Sequence, residues 1–318
     1  MTVCFLGLGA LGLPMAENLL RAGLPLRVHN RHRDRELPLA AEGAERGNSP
    51  AEAVMGAELI CLCLSDGSAV RQVLLGQDTP DDGPPGLADG PADTSGAAIH
   101  GLSPGALVID FSTIAPSGSE AIAAHLAGRG VQYIDAPVTG GTEGAKAGTL
   151  SVLVGGKAED LERARPLLEV VGSRVTHFGP VGAGQRAKAV NQVLVAGNFI
   201  AVAEAMALGR RLGLPMDVVV EALKSGAAGS WTLAHRARNM LMGEFPLGFK
   251  LELHHKDLGI AMAAAEDVGL DLPMCKQVAA MEAALIAEGY GSEDVSALAR
   301  LYEVAGYGDS GSTRSQKL

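Results

Sequence analysis

Hydrophobic and polar positions along the chain follow two regimes that change near residue 180. In the first, short apolar runs at 3–6, 26–30, 59–64, 107–111, 131–135 and 150–154 alternate with helical patterns. A strand that is apolar at consecutive positions is covered on both faces, so this pattern predicts a parallel α/β sheet with helices on each side. The stretch 77–104, rich in Asp, Gly and Pro, predicts a long surface loop with little core to contribute. After residue 180 the pattern is helical throughout. Residues 185–212 predict one helix, about 40 Å long at 1.5 Å per residue and long enough to run from one domain into the next. Further helices are predicted at 215–224, 231–242, 258–268 and 274–288, punctuated by Gly or Pro. The expected domains are 1–180 and an all-helical 181–318.

The first apolar run leads into Gly7-Leu8-Gly9-Ala10-Leu11-Gly12 and then a helical segment. In a strand–turn–helix of this spacing the first glycine makes the turn, the second admits a pyrophosphate to the backbone, and the third lets helix pack on strand. The helix N-terminus then offers unpaired N–H groups and the positive end of its dipole. The expected fold is a Rossmann-type doubly wound sheet that binds a dinucleotide, followed by an all-α domain on a long interdomain helix. An NAD-selective site places Asp or Glu at the end of the second strand to bind the ribose 2′-OH. Here Asn30-Arg31-His32-Arg33 stands there, and a guanidinium pairs well with a 2′-phosphate, so NADP is expected over NAD. Solvated charge on an exposed turn is the competing reading of these residues.

Composition narrows the partners. With 318 residues, 47% hydrophobic, 3% aromatic and a net charge of −10, the chain suits a compact enzyme and argues against nucleic acid, since a polyanion would be repelled and few aromatic surfaces exist to stack on. The four cysteines lie mostly in apolar runs, and Cys61-Leu-Cys63 lacks a second ligand pair. Reduced core thiols are expected, with a cytoplasmic location and no metal. The N-terminus has no signal-peptide pattern, and the final residues are expected to fray. The most apolar long stretch, 190–208, is broken by Asn191, Gln192, Asn198 and Glu204, so a buried helix is expected rather than a membrane span.

Three segments carry candidate chemistry. Residues 135–150 leave a strand at its carboxyl end, the edge where open α/β sheets bind ligands. There Thr139 offers a hydroxyl and Gly140-Gly141 unobstructed N–H groups, an array that can hold a carboxylate. In residues 182–192, Lys188, Asn191 and Gln192 are spaced to project from one face of the long helix. A lysine whose pKa is lowered by burial is a suitable acid/base for a carbinol proton, and a neighbouring amide can orient the substrate oxygen. By spacing alone, a solvated stripe is an equal alternative. In residues 249–258, Lys256 can reach cofactor or substrate, with Asp257 expected to cap the next helix. The adjacent His254 and His255 point apart on any regular element, which argues against a metal pair.

Together these segments resemble the 3-hydroxyacid (β-hydroxyacid) dehydrogenase family, which includes 3-hydroxyisobutyrate dehydrogenase and the tartronate and succinic semialdehyde reductases. The likeness rests on 7–12 through Asn18-Leu19, Asp110-Phe-Ser-Thr-Ile114, Asp135-Ala-Pro-Val-Thr-Gly-Gly141, residues 182–191, and Lys256-Asp-Leu258. It implies that Lys188 is the catalytic acid/base and Asn191 its substrate-orienting partner. It implies that Thr139, Gly140 and Gly141 hold a substrate carboxylate. By the same likeness Thr113 and Lys256 touch the cofactor, and Leu64 and Ser65 line the adenosine side. Leu11 replaces the common Met, Thr139 the usual Ser, and Gln192 a frequent Asn, the last able to alter substrate preference. The resemblance implies reversible hydride transfer between NAD(P) and a small 3-hydroxy acid or its semialdehyde, in a homodimer or homotetramer, with no membrane partner. Imine reductases share the architecture but usually lack the lysine, and 6-phosphogluconate dehydrogenases are much longer. A non-catalytic NADP-binding sensor or scaffold would have no need of Lys188.

Overall fold

Residues 2–76 and 96–302 are described by the computed structural model. Within them the chain forms two compact units, Met1–Gln192 with Ile260–Leu270, and Val193–Gly259 with Asp271–Leu318.

The first unit is built on β1 (Val3–Leu6), α1 (Gly12–Arg21), β2 (Leu26–His29), α2 (Leu37–Ala41), β3 (Glu45–Arg46), α3 (Pro50–Val54), β4 (Leu59–Leu62) and α4 (Gly67–Leu75). After the undescribed 77–95 come β5 (Leu107–Asp110), α5 (Pro116–Ala127), β6 (Gln132–Asp135), β7 (Val138–Thr139), α6 (Gly141–Ala147), β8 (Leu150–Gly155), α7 (Ala158–Val171) and β9 (Gly172–Gly179). The strands form one sheet in the order β3-β2-β1-β4-β5-β6-β8-β7, with β9 on β8.

The unbroken apolar strands have the two-sided burial they imply. In β1, Val3 and Phe5 face a core shared with Met15 and Leu19 of α1 and Leu161, Leu167 and Leu168 of α7. Cys4 and Leu6 face the opposite core, with Val54 of α3, Val70 and Leu74 of α4, and Ile122 and Leu126 of α5. Strands β3 through β6 pair in parallel, but β8 runs antiparallel to β6 and β7, so the expected all-parallel sheet is mixed at this end. Only ten residues separate Thr139 from Leu150, too few for the crossover of a dozen or more that a parallel return requires. The loop expected at 77–104 lies outside the described residues over 77–95. Its remainder is not inert, because Ala97, Ala98 and Ile99 are buried in the second of these cores.

The chain passes from one unit to the other within α8 (Ala183–Arg211), and the second unit is helical: α9 (Met216–Leu223), α10 (Trp231–Met242), much of α11 (Leu251–Glu266) and α12 (Pro273–Ala287). Among its described residues there is no strand, only an isolated bridge between Lys250 and Asp294. The α10 boundaries follow from chemistry at both ends. Ser230 accepts the Leu233 N–H, and Gly243 closes the helix in the left-handed conformation. Helix α11 starts seven residues before the expected 258, which places Asp257 mid-helix and corrects its expected role as an N-cap. Asp294 supplies the start signal instead, accepting the N–H groups of Gly248 and Phe249 in the turn that leads into α11. The final residues expected to fray, from 303 onward, lie outside the described residues.

By length and composition α8 could cross a membrane, and 39% of its most apolar window is buried. The expectation of a buried helix holds on one side only, because Val190, Leu194 and Leu208 are exposed. All four cysteines are free thiols. Burial pushes the Cys63 thiol up to about 12 and raises those of Cys4 and Cys61 well above the ordinary thiol range, which leaves all three inert.

Candidate active site

The glycine turn is shaped by close packing at two of its three glycines. Gly7 has φ +98°, and a Cβ on it would strike the Cys63 carbonyl. A Cβ on Gly12 would overlap the Gly7 carbonyl oxygen. At Gly9 an added Cβ meets nothing within 4 Å, so this backbone borders open space that a side chain would fill. The N-cap of α1, Leu11, makes no side-chain cap, whereas α3 and α4 are capped by Ser49 and Asp66. An uncapped first turn beside an open backbone fits a dinucleotide pyrophosphate, whose oxygens would take the orphan N–H groups of Gly9 to Gly12.

At the end of β2, Asn30 accepts the Leu8 N–H (2.8 Å) and donates to the His32 carbonyl (2.8 Å), tying the glycine turn to the second strand. The Asn30 N–H in turn donates to Glu36 (2.8 Å), a fully buried carboxylate that also pairs with Arg46 (2.7 Å) and Arg33 (3.1 Å). Glu36 is absent from the sequence expectations because its burial depends on two arginines that converge only in the fold. Arg33 and Arg46 are thereby committed to it, while Arg31 is exposed on the turn.

Two adjacent parallel strands end in buried carboxylates, Asp110 on β5 and Asp135 on β6, paired in register. Asp110 accepts the Ser112 N–H (2.9 Å) and the Tyr133 hydroxyl (2.9 Å). Asp135 accepts the N–H groups of Gly182 (2.7 Å) and Gln185 (2.8 Å), the orphan donors at the start of α8. Burial, with the Asp110 charge adding to it, pushes the Asp135 carboxyl up to about 6 against its two N–H donors. The folded protein therefore holds this proton more tightly than the unfolded chain does. The resulting stability is fully present below about pH 4, is lost as pH rises through about 6, and changes little above, a swing on the order of 3 kcal/mol. Urea unfolding of the wild type and Asp135→Asn across pH 4 to 7 should show this fall in the wild type alone. Parallel curves would refute it.

With its N-terminus so anchored, α8 carries Lys188 in its second turn. Lys188 is only 6% exposed, which rules out the solvated stripe, and its ammonium donates to the Val138 carbonyl of β7 (2.9 Å). The fold thus brings Lys188 beside Thr139, Gly140 and Gly141, some fifty residues away in sequence. Gly140 (φ +134°) and Gly141 (φ +63°) hold conformations that other residues rarely adopt, which is how the chain turns from β7 into α6 at this point. Asn191 is half-buried and donates to the side chain of buried Gln192 (2.7 Å). The Leu64 N–H donates to Ser112 (2.9 Å), so the loop with Leu64 and Ser65 is tied to the one with Thr113. Lys256 lies in the second unit, on α11, paired with Asp257 (3.0 Å). Also in that unit, His254 is buried against Glu282 (2.5 Å) while His255 is partly exposed, and among the described residues no group of three or more potential metal ligands forms.

Comparison with known proteins gives the family. "NAD binding domain of 6-phosphogluconate dehydrogenase" matches residues 2–83 and 88–179, and "NAD-binding of NADP-dependent 3-hydroxyisobutyrate dehydrogenase" matches 182–302. The NAD-dependent L-serine dehydrogenase of Pseudomonas aeruginosa is 38% identical, over 95% of this chain and 97% of its own length. The 3-hydroxyisobutyrate dehydrogenase of the same organism is 37% identical, over 94% and 98%. Among solved structures, 3-hydroxyisobutyrate dehydrogenase from Salmonella typhimurium superposes with a TM-score of 0.82 at 29% identity, covering 95% of this chain and 99% of that one. Psf3 in complex with NADP+ and 2-OPP gives 0.83 at 27%, covering 95% and 100%. An imine reductase from Myxococcus stipitatus, at 19% identity and a TM-score of 0.59, covering 95% of this chain and 100% of that one, shares the fold alone. The chain belongs to the 3-hydroxyacid dehydrogenase family and is an NAD(P)-dependent oxidoreductase.

Proposed function

We propose that this enzyme interconverts a small 3-hydroxy acid and its semialdehyde, of the 3-hydroxyisobutyrate, tartronate or succinic semialdehyde kind, with Lys188 as general acid and base. The observation that carries this is the buried Lys188 ammonium held 2.9 Å from the Val138 carbonyl, next to a Thr-Gly-Gly turn. The nicotinamide, when bound, supplies or takes up the hydride. In reduction, Lys188 gives a proton to the aldehyde oxygen. In oxidation, neutral Lys188 removes the hydroxyl proton. Thr139 and the N–H groups of Gly140 and Gly141 hold the substrate carboxylate, and Asn191 orients the reacting oxygen. Gly7 to Gly12 cradle the pyrophosphate, and Leu64, Ser65 and Thr113 line the bound dinucleotide. In this reading residues 1–180 bind the dinucleotide and 181–318 serve substrate binding and assembly, the first turns of α8 with Lys188 and Asn191 belonging to the first compact unit. The exposed Val190, Leu194 and Leu208 of α8 support a homodimer or homotetramer.

The test is a panel of hydroxy acids and semialdehydes followed at 340 nm with NADPH and NADH side by side. Turnover of a three- or four-carbon semialdehyde is expected. Turnover of cyclic imines alone, or of nothing, would refute the proposal.

NADP is the preferred cofactor in this reading, with Arg31 meeting the 2′-phosphate and Asn30 shaping the turn that presents it. Arg31→Ala should weaken NADPH at least tenfold, the ~1.4 kcal/mol of a charge-assisted contact, and leave NADH nearly unchanged. Isothermal titration with each cofactor measures this, and equal losses for both would contradict it.

A further inference from the structure

The amide of Gln185 does something the proposed chemistry does not use. Its side chain is buried, its Oε1 accepts the Ile114 N–H (3.2 Å), and its Nε2 donates to the Ser112 carbonyl (2.9 Å). These two backbone groups belong to the peptide units on either side of Thr113. A neighbouring strand pairs with a residue in the same way, by bonding the carbonyl before it and the N–H after it. Gln185 therefore stands in for a strand partner where β5 has already ended, and it sets the backbone of Thr113.

The same residue is fixed to the helix that carries Lys188. Its own N–H donates to Asp135, and Lys188 follows it by three positions, on the same side of α8. The network extends through Ser112, whose hydroxyl accepts the Leu64 N–H and whose own N–H donates to Asp110. The loops after β4 and β5 are thus bonded, through one buried amide, to the turn of α8 that precedes the lysine. A buried amide in this position is costly unless all its groups are satisfied, and here donor and acceptor both are.

We infer that Gln185 is a positioning residue for hydride transfer: it holds Thr113, on the cofactor side, and Lys188, on the proton side, in one fixed geometry. This rests on the reading of Lys188 as the acid/base. A displacement of about 1 Å in such an arrangement is enough to cost on the order of a hundredfold in rate.

The experiment is a double-mutant cycle of Gln185→Met and Lys188→Ala, with NADPH affinity measured in parallel from the cofactor's own fluorescence without substrate. Met matches Gln in length and makes neither bond. Gln185→Met should lower kcat ten- to hundredfold, with substrate KM within threefold and NADPH Kd raised three- to tenfold. In the Lys188→Ala background the same substitution should lower kcat no more than twofold further. Gln185→Glu keeps the acceptor for Ile114 but sets a carboxylate against the Ser112 carbonyl. Its kcat should recover as pH falls and the new carboxyl gains a proton, a signature Gln185→Met cannot show, and it carries the test if Gln185→Met does not fold. A Gln185→Met enzyme within twofold of wild type in kcat and NADPH Kd overturns the inference, as do losses that simply multiply in the double mutant. If Lys188→Ala alone keeps full turnover, the reading of the lysine fails instead, and that single variant identifies the failure.

Discussion

Lys188→Ala should lower kcat by about two to four orders of magnitude, the range that a positioned general acid or base contributes, while the protein stays folded. The fold survives because the anchoring of α8 depends on Asp135 and Gln185, not on the lysine. The Val138 carbonyl loses its hydrogen bond from the lysine, a cost of about 1 kcal/mol or a little more in a buried site. Lys188→Arg keeps the charge but cannot give up its proton near neutral pH, so it should be nearly as slow as Ala. Circular dichroism and NADPH binding distinguish this outcome from unfolding. Near-normal turnover in a folded Lys188→Ala protein would remove the lysine from the chemistry.

The second large effect separates two glycines of one turn. Gly12→Ala should disrupt the turn, since its Cβ would overlap the Gly7 carbonyl oxygen, which belongs to the backbone and cannot move without shifting β1. Overpacking of this kind costs about 1–3 kcal/mol or more, and both stability and cofactor binding should fall. Gly9→Ala should leave stability within about 0.5 kcal/mol, because nothing lies within 4 Å of the new Cβ and the backbone there needs no left-handed conformation. Its Kd for NADPH should nonetheless rise at least tenfold, since the methyl group would occupy the approach to the phosphates. Thermal melts and cofactor titrations of both variants check the contrast. Tight NADPH binding by Gly9→Ala would mean that the pyrophosphate lies elsewhere.

The parts of this fold that could be read from the sequence are those with one dominant local signal. The run at 3–6 followed by three spaced glycines specifies strand, turn and helix without help from the rest of the chain, and α10 begins and ends where Ser230 and Gly243 say it should. Strand β9 (Gly172–Gly179) carried no such signal. It lies at the free edge beside β8, with residues such as Ser173, Arg174, His177 and Phe178 largely in solvent, so no apolar run marks it. The start of α11 was hidden for a related reason: Glu252, His254, His255 and Lys256 look polar in a row, yet His254 is buried because Glu282 of α12 meets it there.

The site was legible where the residue types are themselves unusual, as with a lysine and two amides in an apolar helix. It was not legible where ordinary residues gain a role by convergence. Asp135 reads as the polar end of a strand, yet it accepts the N–H of Gly182, 47 residues later, and so anchors the helix that follows. Glu36 looks like one more charge on a solvated turn, and burial against Arg33 and Arg46 makes it the support for Asn30.

The most direct test of the central claim is chemical rescue of Lys188→Ala. Reduction of the best semialdehyde from the panel would be followed in single turnovers at 340 nm, with primary amines of graded pKa and size added to the variant. If the ammonium of Lys188 delivers the proton, small amines should restore the rate in proportion to their concentration, the more acidic ammonium ions acting faster, and the wild type should not respond. A variant that reduces substrate at the wild-type rate with no amine present would contradict the account.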